Sequence, residues 1–277
     1  MSSHLEDVVR RALAEDLGSA GDITTMATVG EDKMARARLV SRAEGTLAGL
    51  ETVKWVFALL DDEIECGLIV ADGDRVGSGA VLAEISGPAR GILTGERTAL
   101  NLLGHLSGIA TATADLVGRV EGTGARILDT RKTTPNLRAL EKHAVRMGGG
   151  VNHRFGLFDA VLVKDNHIAA SGGLTAALRG VRDRVGHTVR VEVEVDTLDQ
   201  LDELLTLDAD AVLLDNMDPD TLSRAIKLID GRLITEASGN ITADTVRQIS
   251  ETGVDYISSG WITHSAPALD VTLEIED

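Results

Sequence analysis

Beyond about residue 108 the sequence alternates between two periodicities, and few folds accommodate that pattern. Short runs rich in Val, Ile and Leu recur at Arg126–Thr130, Ala160–Lys164, Val189–Val195, Ala211–Asp215, Leu233–Ala237 and Val254–Ser258. Between most of them the apolar residues return every three or four positions, at Leu174–Val185, Leu198–Leu205, Thr221–Ile229 and Ala243–Glu251. Thr197, Asp218 and Thr242 stand where helix N-caps belong. Strand–helix alternation predicts a parallel sheet, because parallel neighbours need a long crossover that a helix supplies. With some six units and no Gly-rich dinucleotide fingerprint, an α/β barrel fits better than a doubly wound sheet.

The region up to about residue 107 has another texture. Short β-like runs at Ala35–Ser41, Glu63–Val70 and Val81–Ile85 are set apart by Asp72-Gly73 and Ser86-Gly87-Pro88. Helical segments bracket them, Leu5–Leu17 at one end and a helix beginning near Leu93 at the other.

Composition narrows the function classes. A chain of 277 residues, 43% of them hydrophobic, can build one large core or two modest ones. Acidic residues outnumber basic ones 44 to 27, for a net charge of −17, which argues against nucleic acid and describes a strongly solvated surface. Two Trp, one Tyr and three Phe are too few for base-stacking platforms. No apolar run approaches the roughly 20 residues that cross a bilayer, so no membrane association is expected. The N-terminal segment reads as an acidic amphipathic helix without a signal core, and Cys66 stands alone. The expectation is a cytoplasmic protein.

The strand ends carry the chemistry. In α/β barrels active sites gather at the carboxyl ends of the strands. Here those ends read Asp129-Thr130-Arg131-Lys132, Lys164-Asp165-Asn166-His167, Glu192 and Glu194, Asp215-Asn216, Glu236-Ala237-Ser238-Gly239-Asn240 and Ser258-Ser259-Gly260. In VRVEVEV, alternation puts Val191, Val193 and Val195 on one face and Glu192 and Glu194 on the other. A solvated edge strand would explain that pattern. In a central strand the carboxylates would need a cation or hydroxyl partner. With Asp215 they suit a divalent metal, sugar hydroxyls or a developing cation.

Cations gather in a second group. Arg131, Lys132, Arg138, Lys142, Arg146, Arg154 and Lys164 fall within 34 residues of an acidic chain, together with His143, His153 and His167. Arg138, Lys142 and Arg146, four apart, read as helix-surface charges. Arg131, Lys132, Arg154 and Lys164 sit at strand ends or in GGGVNHR, and would grip a small substrate with several negative groups. Ser238-Gly239-Asn240 and Ser259-Gly260 each follow a strand, where backbone N–H groups can meet a phosphate, although ordinary turns use the same residues. P-loop, nucleophile-elbow, HExxH and CxxC motifs are missing from the sequence.

The run ILDTRKTTPNLRALEKHAVRMGGGVNHRFGLFDAVLVKDNHI resembles the signature of the quinolinate phosphoribosyltransferases. GERTALNLLGHLSGIAT, VEVEVDT, AVLLDNM, EASGNI, SSGWITHSAPALD and the early EDLGSAGDITT match further family blocks in order, over nearly the whole chain. Asn136 and His143 replace what are usually Gly and Tyr, and Trp261 lies at a variable position.

The resemblance implies an α/β protein with an N-terminal α/β sandwich domain (1–107) and an open TIM-like α/β barrel (108–267), the tail 268–277 packing back on the first domain. It implies phosphoribosyl transfer from 5-phosphoribosyl 1-diphosphate to quinolinate with loss of CO2, in NAD synthesis, and Mg2+ with the donor but no organic cofactor. Arg131, Arg154 and Lys164 would hold the carboxylates, with Thr130, Lys132 and His153 lining the pocket. Glu194 and Asp215 would meet the ribose and metal region, so that Lys132, Lys164, Glu194 and Asp215 form the catalytic set. Ser238, Gly239, Asn240, Ser259, Gly260 and Trp261 correspond to the phosphate loops. Arg97 would reach a neighbouring subunit's site in a homodimer or higher homo-oligomer. Three other readings stand beside it: a Schiff-base aldolase using Lys164, a lipoyl- or biotin-carrier module at Cys66–Gly87, which lacks the hairpin-tip lysine, and a sister phosphoribosyltransferase for another pyridine or cofactor substrate.

Overall fold

The computed structural model describes residues 2–276, so Met1 of the expected first domain and Asp277 of the expected tail lie outside the described residues. In chain order the elements are α1 (Ser2–Leu17), α2 (Ile23–Thr28), β1 (Met34–Ser41), β2 (Gly45–Thr46), α3 (Leu50–Leu60), β3 (Glu65–Leu68), β4 (Arg75–Val76), β5 (Val81–Pro88) and α4 (Ala89–Arg119). Then follow β6 (Arg126–Leu128), α5 (Arg138–Met147), β7 (Val161–Val163), α6 (Asp165–Ser171), α7 (Leu174–Arg182), β8 (Val191–Val195) and α8 (Leu198–Leu204). The chain ends with β9 (Ala211–Asp215), α9 (Pro219–Ile229), β10 (Ile234–Ser238), α10 (Val246–Ser250), β11 (Tyr256–Ser258), α11 (Trp261–His264) and β12 (Val271–Glu276).

Two compact units emerge. One takes the chain up to Ala114, then Thr134–Gly149, and the chain from Ser265 on; the other holds Asp115–Thr133 and Gly150–His264. This division is not the simple break at 107/108 read from the sequence, because the segment bearing α5 leaves the second stretch and joins the first unit.

In the first unit a four-stranded sheet has the order β12-β1-β5-β3 with antiparallel pairing, β12 running from Arg36↔Glu276 to Ser41↔Val271 against β1. Leu269 N–H donates to Gly104 O at 2.9 Å, fixing the approach of this last strand to α4. Alternation along β1 buries Ala37 and Leu39, which join Val9 and Leu13 of α1, Val53, Val56 and Phe57 of α3, and Ile92 and Leu103 of α4 in one core. The Cys66–Gly87 segment supplies β3 and β5 to this sheet, a structural task, and burial pushes the Cys66 thiol up to about 11, which makes it inert.

Helix α5 corrects one expectation. Arg146 is exposed, but Lys142 is 3% exposed and Glu141 fully buried, so this is not a plain charged surface face. Glu141 accepts from Thr134 N–H at 3.1 Å and faces His105 Nε2 at 2.8 Å, which satisfies a buried carboxylate. Asn136 has φ +67°, the left-handed region where the family's usual Gly is at ease and Asn is the best-tolerated substitute. His143 Nε2 lies 2.8 Å from Asp72 Oδ2.

In the second unit six parallel strands lie in the order β6-β11-β10-β9-β8-β7, with β6 and β7 as its two ends. The strands are shorter than their apolar runs: β6 stops at Leu128, β7 spans only Val161–Val163, and β8 starts at Val191. β8 lies between β7 and β9, so the edge-strand reading fails. Val191, Val193 and Val195 are at most 1% exposed, while Glu194 is 9% exposed and Glu192 half-buried on the opposite face. Thr197 caps α8 in a capping box and Asp218 caps α9. Thr242 does not cap α10: the N-cap is Thr245, and Thr242 closes the preceding turn by accepting the Thr245 N–H.

Candidate active site

A cavity of about 400 Å³ opens within the second unit. Thr130, Arg131, Lys132, His153, Arg154, Lys164, Glu194, Asp215 and Ser238, all foreseen from sequence, line it together with Leu162, Leu213, Glu236 and Ser258. The parallel register explains the convergence, since Glu194 pairs with Leu213 and Asp215 with Ser238, placing successive strand ends side by side.

A fully buried carboxylate organises the cationic wall. Asp129 is 0% exposed and accepts Asn152 Nδ2 at 2.6 Å and the His153 N–H at 2.8 Å. These bonds hold the loop that presents His153 and Arg154. Arg154 Nη1 then donates to Ala160 O at 3.1 Å. Beyond it, the Phe155 and Gly156 N–H groups bond Asp159 at 2.6 and 2.9 Å, which closes the turn. Burial, then the charge of Arg131, hold the Arg154 pKa below the usual guanidinium value, against the opposing charges of Asp159 and Glu192. Lys132 is fixed by its main chain: its N–H donates to Thr130 Oγ1 at 3.0 Å and its carbonyl accepts from Thr263 Oγ1 at 2.8 Å.

Carboxylates make up the other wall. Lys164 Nζ is paired with Glu194 Oε2. Asp215 accepts from Asn216 Nδ2 at 2.6 Å. His167, grouped with the cations by sequence, is exposed, and its Nδ1 accepts the Lys164 N–H at 2.9 Å to close the start of α6.

Beneath both walls sits a cluster that the sequence reading did not assemble. His153 Nε2 faces Glu192 Oε2 at 3.1 Å and Glu236 Oε2 at 3.4 Å. Burial opposes a second proton on this ring, but the two carboxylates outweigh it and push the pKa up to about 10. His153 Nδ1, however, accepts the Arg154 N–H at 2.7 Å, which a doubly protonated imidazole cannot do. The contact therefore fixes the Nε2–H form. Beside it the Glu236 pKa is raised, by burial first and by the Glu192 charge, against the His153 bond that opposes them. Among the described residues this is also the one trio of His, Cys, Asp or Glu close enough to share a metal ion, but its members already bond one another. Its sequence signal was Glu236 in the middle of ITEAS, between Thr235 and Ala237.

The foreseen phosphate loops divide. Ser238 lines the cavity, and the next two residues adopt left-handed backbone, Gly239 at φ +94° and Asn240 at φ +51°. A Cβ on Gly239 would come within 2.2 Å of Asn216 Oδ1, so glycine is required there twice over. Asn240 Nδ2 reaches the same Asn216 oxygen at 3.3 Å, and Asn216 N–H donates to Ser238 O at 2.9 Å, tying the β9 and β10 loops together. In the other loop Ser258, not Ser259, lines the cavity, while Ser259 is 3% exposed and donates its N–H to Leu128 O. A Cβ on Gly260 would meet Lys132 Cδ at 2.8 Å, and Trp261 is 40% exposed. Arg97 is an exposed residue of α4 in the first unit.

Comparison with known proteins gives this geometry a lineage. Residues 22–107 match the family described as quinolinate phosphoribosyl transferase, N-terminal domain, and residues 109–274 match its C-terminal domain. A probable nicotinate-nucleotide pyrophosphorylase [carboxylating] of Bacillus subtilis is 44% identical over 271 residues, covering 98% of this chain and 93% of the relative. A nicotinate-nucleotide pyrophosphorylase [carboxylating] of Mycobacterium leprae is 45% identical, with 97% and 96% covered. The solved structure of the nicotinate-nucleotide pyrophosphorylase from Francisella tularensis superposes with a TM-score of 0.95 at 39% identity, covering 100% of this chain and 97% of that one. Matched in both domains and over nearly all of its length, the chain belongs to the quinolinate phosphoribosyl transferase family.

Proposed function

We infer that this chain is a carboxylating nicotinate-nucleotide pyrophosphorylase. It transfers phosphoribosyl from 5-phosphoribosyl 1-diphosphate to the ring nitrogen of quinolinate, releases diphosphate and CO2, and forms nicotinate mononucleotide for NAD synthesis. Full-length similarity to relatives of that name carries the reading. The cavity supports it, because a dicarboxylate needs paired cations beside a polar, acidic sugar site.

Arg131, Arg154 and Lys164 are suited to the two carboxylates, since guanidinium forks and an ammonium bind carboxylates through charge-assisted bonds. Thr130, Lys132 and His153 complete that wall. Glu194 and Asp215 face the ribose, where positive charge grows at the anomeric carbon as diphosphate leaves. Ser238, Gly239 and Asn240, with Ser259, Gly260 and Trp261 nearby in sequence to cavity-lining Ser258, are assigned to the donor phosphates. The attacking ring nitrogen bears no proton, so positioning replaces a general base. Once alkylated, that nitrogen is cationic and stabilises the electron pair left when CO2 departs.

Mg2+ fits the donor set: of the three carboxyl groups lining the cavity, Glu194 and Asp215 stand at the ends of adjacent strands, and this ion characteristically takes one or two carboxylates plus substrate phosphates. Glu194 and Asp215 would hold it, and it would offset the leaving group's charge. Arg97, exposed on α4, is assigned to a partner subunit's site in a homodimer or larger homo-oligomer. Small, highly charged substrates make the cytoplasm the natural compartment; among the described residues no helix is long and apolar enough to cross a membrane.

A sister phosphoribosyltransferase is the competing reading, favoured by the shared phosphate loops. Acceptor assays separate the two. Quinolinate is expected to yield nucleotide at least about a hundredfold faster than nicotinate, because a site built for two carboxylates leaves buried charge unpaired with one. Equal rates would decide for the alternative.

A further inference from the structure

Replacing a carboxylate by hydrogen requires a proton at the ring carbon, and the foregoing assignments provide no donor for it. Resting on the function inferred above, we propose that Glu236 is that acid: the Oε1 atom of its carboxyl group delivers the proton to the carbon that loses CO2.

Three observations converge on this residue. Glu236 lines the cavity yet is only 3% exposed, so its carboxyl group stands in the wall of the site and is shielded from bulk water. Its Oε2 faces the His153 Nε2–H at 3.4 Å, while Oε1 is a buried atom without a hydrogen-bond partner. A buried carboxylate with one orphaned oxygen is costly, and a neutral carboxylic acid carrying its hydrogen there costs much less. Two neighbouring candidates are committed: His153 uses Nε2 on the glutamates and Nδ1 on the Arg154 N–H, and Lys164 is paired with Glu194.

The titratable groups facing Glu236 are His153, from the loop before β7, and Glu192 on β8. The strands flanking β10 add no charge beside it, offering Leu213 from β9 and the Ser258 hydroxyl from β11. Burial and the Glu192 charge both favour the neutral acid over the His153 and Ser258 contacts that oppose it.

The step balances. The bond from ring carbon to carboxylate breaks, its electron pair stays on carbon beside the alkylated cationic nitrogen, and CO2 leaves. That pair takes the proton from Oε1, giving the ring C–H of nicotinate mononucleotide and a Glu236 carboxylate, which solvent reprotonates before the next turnover. Without a nearby acid the carbanion recaptures CO2, and net turnover falls.

The test compares wild type with Glu236→Gln and Glu236→Asp, reading nucleotide formation, quinolinate binding by equilibrium dialysis, and the pH profile of kcat. Donor-dependent turnover in wild type comes first; if it is missing, the functional reading fails rather than this one. Glu236→Gln is expected to bind quinolinate within about twofold of wild type but lose about a hundredfold in kcat, the usual worth of a positioned acid. Wild-type kcat falls as pH rises through the pKa of the acid; that limb vanishes in Glu236→Gln and returns in Glu236→Asp. A Gln variant with at least half the wild-type kcat and an unchanged limb overturns the proposal. Should Glu236→Gln not fold, Glu192→Gln decides. Removing the neighbouring charge shifts the alkaline limb down by on the order of one pH unit, and a limb that stays in place counts against Glu236.

Discussion

Four cations gather around one cavity of about 400 Å³, and the lowered pKa of Arg154 registers its burial first and the repulsion of Arg131 next. Pairing Lys164 with Glu194 relieves part of it and joins the two walls through one contact. At this scale the sequence was informative about charged side chains that end strands, because alternation fixes which face a residue takes: Glu194 lies opposite Val193 and Val195, as the period demands. It was silent about Asp129, which looked like one more strand-end polar residue and is in fact the fully buried anchor of the His153 loop. It was also silent about the Glu192–His153–Glu236 contact, which joins residues 39 apart on one side and lies across two strands on the other. Such meetings depend on strand order, which no local pattern encodes.

Among the elements, the long periodic segments were legible and their ends were not. Helices α8 and α9 start where Thr197 and Asp218 said they would, because those side chains accept the orphan N–H groups of the first turn. Thr242 misled because a turn and a cap use the same hydroxyl chemistry. Helix α5 misled because charges spaced four apart describe a helix without saying what covers it. Asp72 shows how α3 and α5 are held: it accepts the Gly49 and Leu50 N–H groups at 3.1 and 3.0 Å and meets His143 at 2.8 Å. Burial works against its charge, but the His143 bond and the two N–H bonds outweigh it, so its pKa lies below the ordinary value. A lowered folded-state pKa contributes stability that is present above the unfolded value and lost as pH falls through the folded one. Urea unfolding should therefore show Asp72→Asn less stable than wild type at pH 7, with the gap closing below about pH 4. A gap of constant size from pH 7 to pH 3 would show that the Asp72 charge is not what matters.

For the molecule as a whole, the parallel sheet and a first region of short strands bracketed by helices were readable from the change of periodicity near residue 108, but the antiparallel pairing of those strands and the assignment of Thr134–Gly149 to the first unit were not. An excursion of sixteen residues bearing one helix looks the same in sequence whichever core it joins. The proposed shared site gives a test at this scale. Inactive Arg97→Ala and Arg154→Ala proteins, mixed and allowed to exchange subunits, should regain part of the wild-type turnover through sites that combine the intact Arg97 of one chain with the intact Arg154 of the other. No recovery despite demonstrated exchange would remove Arg97 from a partner's site. Carboxylate loss driven by phosphoribosyl transfer is read out by counting CO2 from quinolinate labelled at the 2-carboxyl group. One labelled CO2 is expected per nicotinate mononucleotide formed, and none when either the phosphoribosyl donor or Mg2+ is withheld. Label released without the donor, or nucleotide formed with the label retained, would contradict it.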